Sequence, residues 1–136
     1  MFLLDTNVIS ELRKPQADAN VVAWAKGIIA PRMFISAITL QELEMNVLRM
    51  ERRDPAQGKV LRTWLKRHVM PAFDGRILPI DAAVALRCAS LHVPDRANEG
   101  DALIAATALV HGLTVVTRNV SDFQSSGVAL INPWDE

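Results

Sequence analysis

Short apolar runs alternate with longer segments of helical period along this chain. Phe2–Leu4 is apolar and ends at Asp5-Thr6-Asn7, the pattern of a strand running into a turn. Val8–Lys14 then spells a short helix closed before Pro15. Asp18–Ala30 spells a second helix, with Val21, Val22, Trp24, Ala25, Ile28 and Ile29 as its apolar set and Pro31 as its stop. Met33–Ile35 predicts another strand, followed by a long helix from Thr39 to Arg52. Apolar residues of that helix, Met45 and Leu48 among them, spread widely around its axis. One stripe suffices for a core, so the surplus predicts a surface that meets a second subunit or a partner. Asp54-Pro55 is a cap followed by proline in the first helical position, which opens a helix to His68. Arg76–Pro79 predicts the third strand, and Asp81 caps a helix to Leu91. Val93–Gly100 predicts a loop, Asp101–Val110 a helix stopped by Gly112, and Leu113–Thr117 and Val128–Ile131 the last strands.

The strand runs are apolar on both sides, as in a parallel sheet covered by helices on both faces. The expected fold is therefore α/β: one domain over residues 1–136, an α/β/α sandwich with a central, mostly parallel sheet. In such folds ligands bind beyond the carboxyl ends of the strands, near the point where strand order reverses.

Composition narrows the function classes. Fifteen basic and fifteen acidic residues give zero formal charge, so the molecule as a whole is no polycation. Between Arg49 and Arg76, however, eight Lys and Arg stand against three Asp and Glu, and the remainder is acidic. That division suits a polyanion track in one region and a cation site in another. No apolar run reaches the roughly 18 residues of a membrane span, and Asp5 interrupts the first apolar run too early for a signal peptide. The expectation is a cytoplasmic protein. The one cysteine, Cys88, is read as a small buried hydrophobe, with no histidine near it in sequence to activate it.

Oxygen-bearing side chains gather where the strands end. Asp5 follows the first strand, and Glu42 falls in the first turn of the helix after the second. Asp101 begins the helix that feeds the fourth strand, and Asn119 and Asp122 follow that strand. Hard dications such as Mg²⁺ take oxygen ligands and commonly use a few carboxylates plus substrate phosphate. Each residue also has a structural reading. Asp5 or Asn7 can cap the first helix, Thr39-Leu40-Gln41-Glu42 fits a capping box, and Asn98-Glu99-Gly100-Asp101 fits another capping arrangement. Taken together the acids favour a cation site, and a helix start can steady a carboxylate in either role.

These segments carry a resemblance. Leu3-Leu4-Asp5-Thr6-Asn7-Val8 is similar to the opening motif of PIN-domain proteins, and Ser36-Ala37-Ile38-Thr39-Leu40-Gln41-Glu42-Leu43 resembles their second. Asp101-Ala102-Leu103-Ile104-Ala105-Ala106-Thr107-Ala108 resembles the third, and Thr114-Val115-Val116-Thr117-Arg118-Asn119 the fourth. Asn132-Pro133-Trp134 resembles the ending common in the VapC- and FitB-like toxin branch. The resemblance implies a Mg²⁺-dependent endoribonuclease, with Mn²⁺ as a substitute, that hydrolyses RNA as the toxin of a toxin–antitoxin pair. It implies Asp5, Glu42 and Asp101 as metal-holding residues and Asn119 as a neutral hydrogen-bond partner at the site. It implies as partners RNA, a cognate VapB-like antitoxin, a second copy of the chain, and DNA reached through the antitoxin. Asn119 stands where many members carry an acid, so Asp122 or Glu99 is the alternative for completing the site. A module that binds RNA or antitoxin without cutting is the other reading. A phosphotransfer enzyme is disfavoured, because no second aspartate stands beside Asp5 in an Asp-x-Asp pair.

Three further signals are weaker. Lys59, Arg62 and Lys66 share one side of their helix, read first as a solvated face and second as a backbone track for RNA. Trp24, Trp64 and Trp134 are read as core or interface residues. His68, His92 and His111 show no metal spacing and are read as structural.

Overall fold

The computed structural model describes residues 1–135. Its centre is a five-stranded parallel sheet in the order β3-β2-β1-β4-β5, made of β1 (Phe2–Leu4), β2 (Met33–Ser36), β3 (Ile77–Leu78), β4 (Thr114–Val116) and β5 (Leu130–Ile131). The chain builds outward from β1 to β3, then returns to the other side of β1 for β4. Order reverses between β1 and β4, where Leu4 pairs with Val116. That pair of strand ends is where a ligand cleft is expected.

Alternation along β1 sorts the two faces. Leu4 packs with Val8, Val21, Ile35, Leu43, Val47 and Leu65, beneath α1 (Thr6–Arg13), α2 (Ala19–Lys26), α3 (Ala37–Arg53) and α4 (Pro55–Trp64). Leu3 faces the other way, onto Ile104, Ala105 and Ala108 of α7 (Glu99–His111). The opposite side of α7 takes α6 (Ala82–Leu91), through Ala102 and Ala106 against Val84 and Cys88. A helix covered on two sides has to be apolar nearly all round, which accounts for the run Ala102–Val110. Thr107 fits there because its hydroxyl donates to the Leu103 carbonyl at 2.7 Å.

Several boundaries differ from the sequence expectation, each for a local reason. The first helix begins at Thr6 because Asp5 is its cap, accepting from the Thr6 N–H at 2.7 Å. The second helix stops at Lys26 with Gly27 as its cap; Pro31 falls instead in a 3₁₀ turn, Ala30–Arg32. The capping box at Thr39 is not formed. Ser36 caps α3, so Thr39 lies inside it and Glu42 falls in its second turn. Asp54 caps α4 with Pro55 in its first position, and the helix runs on through a π turn (Leu65–Val69) into α5 (Met70–Ala72). Asn98 caps α7, which starts two residues before Asp101. At its far end Gly112 adopts φ 67°, a left-handed conformation that costs glycine little. Two 3₁₀ turns, Val120–Asp122 and Gln124–Ser126, fill the stretch after β4.

Candidate metal and active site

Asp5 sits at the carboxyl end of β1, 7% exposed, with its N–H bonded to the Val116 carbonyl. Three donors hold its carboxylate: the Thr6 N–H on Oδ1 at 2.7 Å, and on Oδ2 the Thr117 hydroxyl at 2.8 Å and, more weakly, Asn7 Nδ2 at 3.4 Å. The Thr117 oxygen itself accepts from the Asn119 N–H at 3.0 Å and from Asn7 Nδ2 at 3.4 Å. With its lone pairs so engaged, the one hydroxyl proton points at Asp5. Asn7 completes the tie between β1 and β4 by accepting from the Arg118 N–H.

Glu42 reaches the same place from α3. The Thr6 hydroxyl donates to its Oε1 at 2.6 Å, and its Oε2 lies beside Gly100, 3.5 Å from where a side chain there would begin. Asp101 arrives in the first turn of α7, its own N–H capped by Asn98. Asp101 and Asp122 line one small cleft together with Phe123 and Ala105.

The electrostatics follow from crowding. Burial is the largest cause raising the Asp5 carboxyl above 3.8, followed among raising causes by the charges of Glu42 and Asp122; the bonds from Thr117 and Thr6 oppose it. Asp101 rises to about 6, first through burial and then through Asp5, Asp122 and Glu42. Four carboxylates therefore share one field, and among the described residues none of them pairs with a Lys or Arg. A cluster of acids with no cation of its own is a donor set fitted to a hard dication.

Asp5, Glu42, Asp101 and Asp122 thus lie within one another's field at the strand ends. Asn119 is exposed and its side chain makes no hydrogen bond among the described residues. Its contribution is through the backbone, whose carbonyl accepts from the Asp122 N–H at 3.0 Å. Glu99, the other alternative, turns away to His92 and Arg96. Of the two alternatives for completing the site it is Asp122 that the 3₁₀ turn Val120–Asp122 folds back over the strand end.

One other expectation changes. Arg62 is no free cation: its guanidinium forks onto Glu44 and Glu51, which also lowers the Glu44 carboxyl. Trp24, Trp64 and Trp134 pack against the core, as expected, and Trp64 also borders a groove of about 620 Å³ with Arg13 at 5.7 Å from its ring and Lys59 and His68 beside it. Met45 and Leu48 of α3 are exposed, at 37% and 52%, an apolar surface not used by the core. Among the described residues no helix is long and apolar enough to cross a membrane.

An all-parallel sheet with an acidic cluster at its reversal point defines an α/β protein whose candidate site is built from carboxylates. The chain belongs to the PIN-domain family, whose model matches residues 2–125. It is 40% identical to "Toxin FitB" of Neisseria gonorrhoeae, covering 100% of both chains. It is 38% identical to "VapC ribonuclease Y4jK" of Sinorhizobium fredii, covering 99% of each. Among solved structures it is similar to the FitAcB crystal structure from Neisseria gonorrhoeae, with a TM-score of 0.92, 40% identity and 100% of each chain covered. It is also similar to FitAB bound to a DNA fragment, with a TM-score of 0.86, 37% identity and 98% and 96% covered.

Proposed function

We propose that this chain is the toxin of a toxin–antitoxin pair, an endoribonuclease that hydrolyses RNA with Mg²⁺. The observation that carries the reading is the shared field of Asp5, Glu42, Asp101 and Asp122 at the sheet's reversal point. The relatives named as a ribonuclease and as a toxin give the activity its class. Mn²⁺ is expected to substitute, since it takes the same oxygen ligands. When bound, the ion neutralises charge on the phosphate and makes water a better nucleophile at neutral pH.

The residues divide the work. Asp5 and Asp101 hold the ion, with Asp122 as the fourth acid. Glu42, aimed by the Thr6 hydroxyl, orients the attacking water. The partners are RNA, an antitoxin of the kind found in the FitAB complexes, a second copy of the chain, and DNA through the antitoxin. The exposed Met45 and Leu48 are available for such protein contacts.

Purified protein free of antitoxin, incubated with total RNA, is expected to cut only when Mg²⁺ or Mn²⁺ is present. The products should carry 5′-phosphate and 3′-hydroxyl ends, since no histidine pair stands at the site to activate a ribose hydroxyl. A 2′,3′-cyclic phosphate would rule out metal-assisted hydrolysis. Absence of cutting alongside intact metal binding would leave the binding-only module.

Calorimetric titration separates the two residues at the fourth position. Asp122→Asn is expected to weaken Mg²⁺ binding by about tenfold or more, since a nearby anion favours the dication. Asn119→Asp should strengthen it less, because that side chain is exposed and unattached. The reverse ranking would return the fourth place to Asn119.

For the basic helix, Lys59→Gln with Lys66→Gln is expected to lower RNA affinity across sequences. It should flatten the salt dependence by roughly 0.7 for each phosphate no longer neutralised. Arg62→Gln should leave that slope alone, because its charge is already spent on Glu44 and Glu51. An equal effect from Arg62→Gln would show that the ion pairs open when RNA arrives.

A further inference from the structure

The sulfur of Cys88 in α6 and the imidazole of His92, the cap at its end, meet Glu99 at the start of α7. Cys88, 4% exposed, lies one helical turn before His92, so the histidine that sequence reading placed out of reach of the thiol is in fact its neighbour. Cys88 Sγ is 3.8 Å from His92 Nε2, and the same Nε2 is 3.2 Å from Glu99 Oε2. All three ligand atoms lie within 4.8 Å of one another. They open onto a groove of about 600 Å³ that Arg96 and Leu103 also line.

These spacings can be set against a metal geometry. A tetrahedral zinc site with Zn–S about 2.3 Å and Zn–N and Zn–O about 2.0–2.1 Å has S···N and N···O edges of roughly 3.5 and 3.3 Å. The observed 3.8 and 3.2 Å are within a few tenths of an ångström of those edges. A thiolate, a neutral imidazole and a carboxylate carry two negative charges, matching a dication. The sulfur selects a borderline-soft ion over Mg²⁺, which prefers all-oxygen clusters. All three residues line the groove, from which water can complete the tetrahedron.

We infer that Cys88, His92 and Glu99 form a second metal site, specific for Zn²⁺-class dications and separate from the acidic cluster. Binding has a structural consequence. His92 Nδ1 now accepts the Ala97 N–H at 3.0 Å, so in the neutral ring the proton sits on Nε2, directed at Glu99. Coordination through Nε2 moves that proton to Nδ1, and the thiol proton of Cys88 leaves to solvent. The Ala97 N–H then loses its acceptor and turns away. Ion binding therefore loosens the segment from Val93 to Asn98, which leads directly into the cap of α7 and to Asp101. The site is a regulatory one, in which the ion competes with the loop for the ring.

The probe is Co²⁺, read by absorption. Wild-type protein is expected to bind one Co²⁺ with a sulfur-to-cobalt charge-transfer band and the intense visible bands of tetrahedral coordination, both bleached by Zn²⁺. The acidic cluster contains no sulfur and cannot give the first band. Cys88→Ser and His92→Gln should abolish it. Glu99 is 59% exposed at its side chain, so Glu99→Gln leaves the fold intact and should weaken Co²⁺ binding. That loss should be at least the roughly 10–100-fold produced by losing an outer partner of a metal ligand. Zn²⁺ should also speed amide exchange at Ala97. Absence of the charge-transfer band in wild type, or its survival in Cys88→Ser, would overturn the site. Slowed exchange at Ala97 would overturn the competition with the loop.

Discussion

Asp101→Asn is expected to abolish RNA cleavage and, at the same time, to raise the melting temperature of the metal-free protein above pH 6. Cleavage falls because the variant removes one of four carboxylates that, among the described residues, have no cationic side chain to assist them in holding a dication. Losing even an outer partner of a metal ligand costs about 10–100-fold, so loss of a ligand itself should exceed 100-fold. Asp5→Asn should do the same, since Asp5 is the acid to which Thr6 and Thr117 are both tied.

Stability moves the other way because the Asp101 carboxyl lies at about 6 when folded against an ordinary 3.8. Between those two values the folded protein keeps a proton that the unfolded chain has released. Stability of the metal-free protein is therefore undiminished by this group below 3.8, falls as pH rises, and is lowest above about 6. Burial is the main cause, and repulsion from Asp5, Asp122 and Glu42 adds to it. Asparagine carries no charge, so the difference between variant and wild type should be nil at low pH and reach its full size above pH 6. Solvent reaches the group and keeps the difference to a few degrees. Mg²⁺ should stabilise wild type and not the variant, because only the folded, ionised cluster binds it. A variant that melts no higher than wild type at pH 8 without metal would show that neither burial nor the neighbouring acids raise the Asp101 carboxyl.

The second large effect concerns folding. Gly58→Ala is expected to destabilise the protein by about 2 kcal/mol net, seen as a lower urea midpoint. A Cβ at Gly58 would stand 2.4 Å from Glu51 Cα and 2.6 Å from Glu51 N, both backbone atoms of α3. Neither can rotate aside, so α4 has to move off α3. Overpacking of this kind costs typically about 1–3 kcal/mol, and a backbone clash belongs at the upper end. The gain in helix propensity from glycine to alanine, about 1 kcal/mol, does not offset it. The displacement would also part Arg62 from Glu44 and Glu51, which bridge the same two helices. An unchanged midpoint would mean that the two helices pack with more play than their close approach at Gly58 indicates.

Gly58 illustrates which information the chain carries in plain form. In sequence it is one glycine in a helical stretch, indistinguishable from a weak spot. Only the crossing of α3 and α4 makes it obligatory, because the clash is with a residue brought there by the turn at Asp54. Arg62 is similar: its place on a basic face was legible, but its partners are 18 and 11 residues away and come from another helix. His92 and Cys88 share a helical turn and could have been paired by their spacing of four; Glu99 could not, since a loop separates it from them.

Sequence by itself determined the order of strands and helices, the caps at Asp54 and Asp81, the parallel sheet, and the candidate acids at the strand ends. Those are local or periodic properties: a cap acts over three residues, and burial on both faces writes itself as an unbroken apolar run. Tertiary structure decided the rest. It placed the reversal of strand order between β1 and β4 and so set Asp5 beside Thr117. It folded Asp122 into the field of Asp5 and Asp101 and left Asn119 outside, exposed. Charges interact through space over a few ångströms, whatever their separation along the chain. Which acids share a field, and which cations are already neutralised, are therefore fixed by packing.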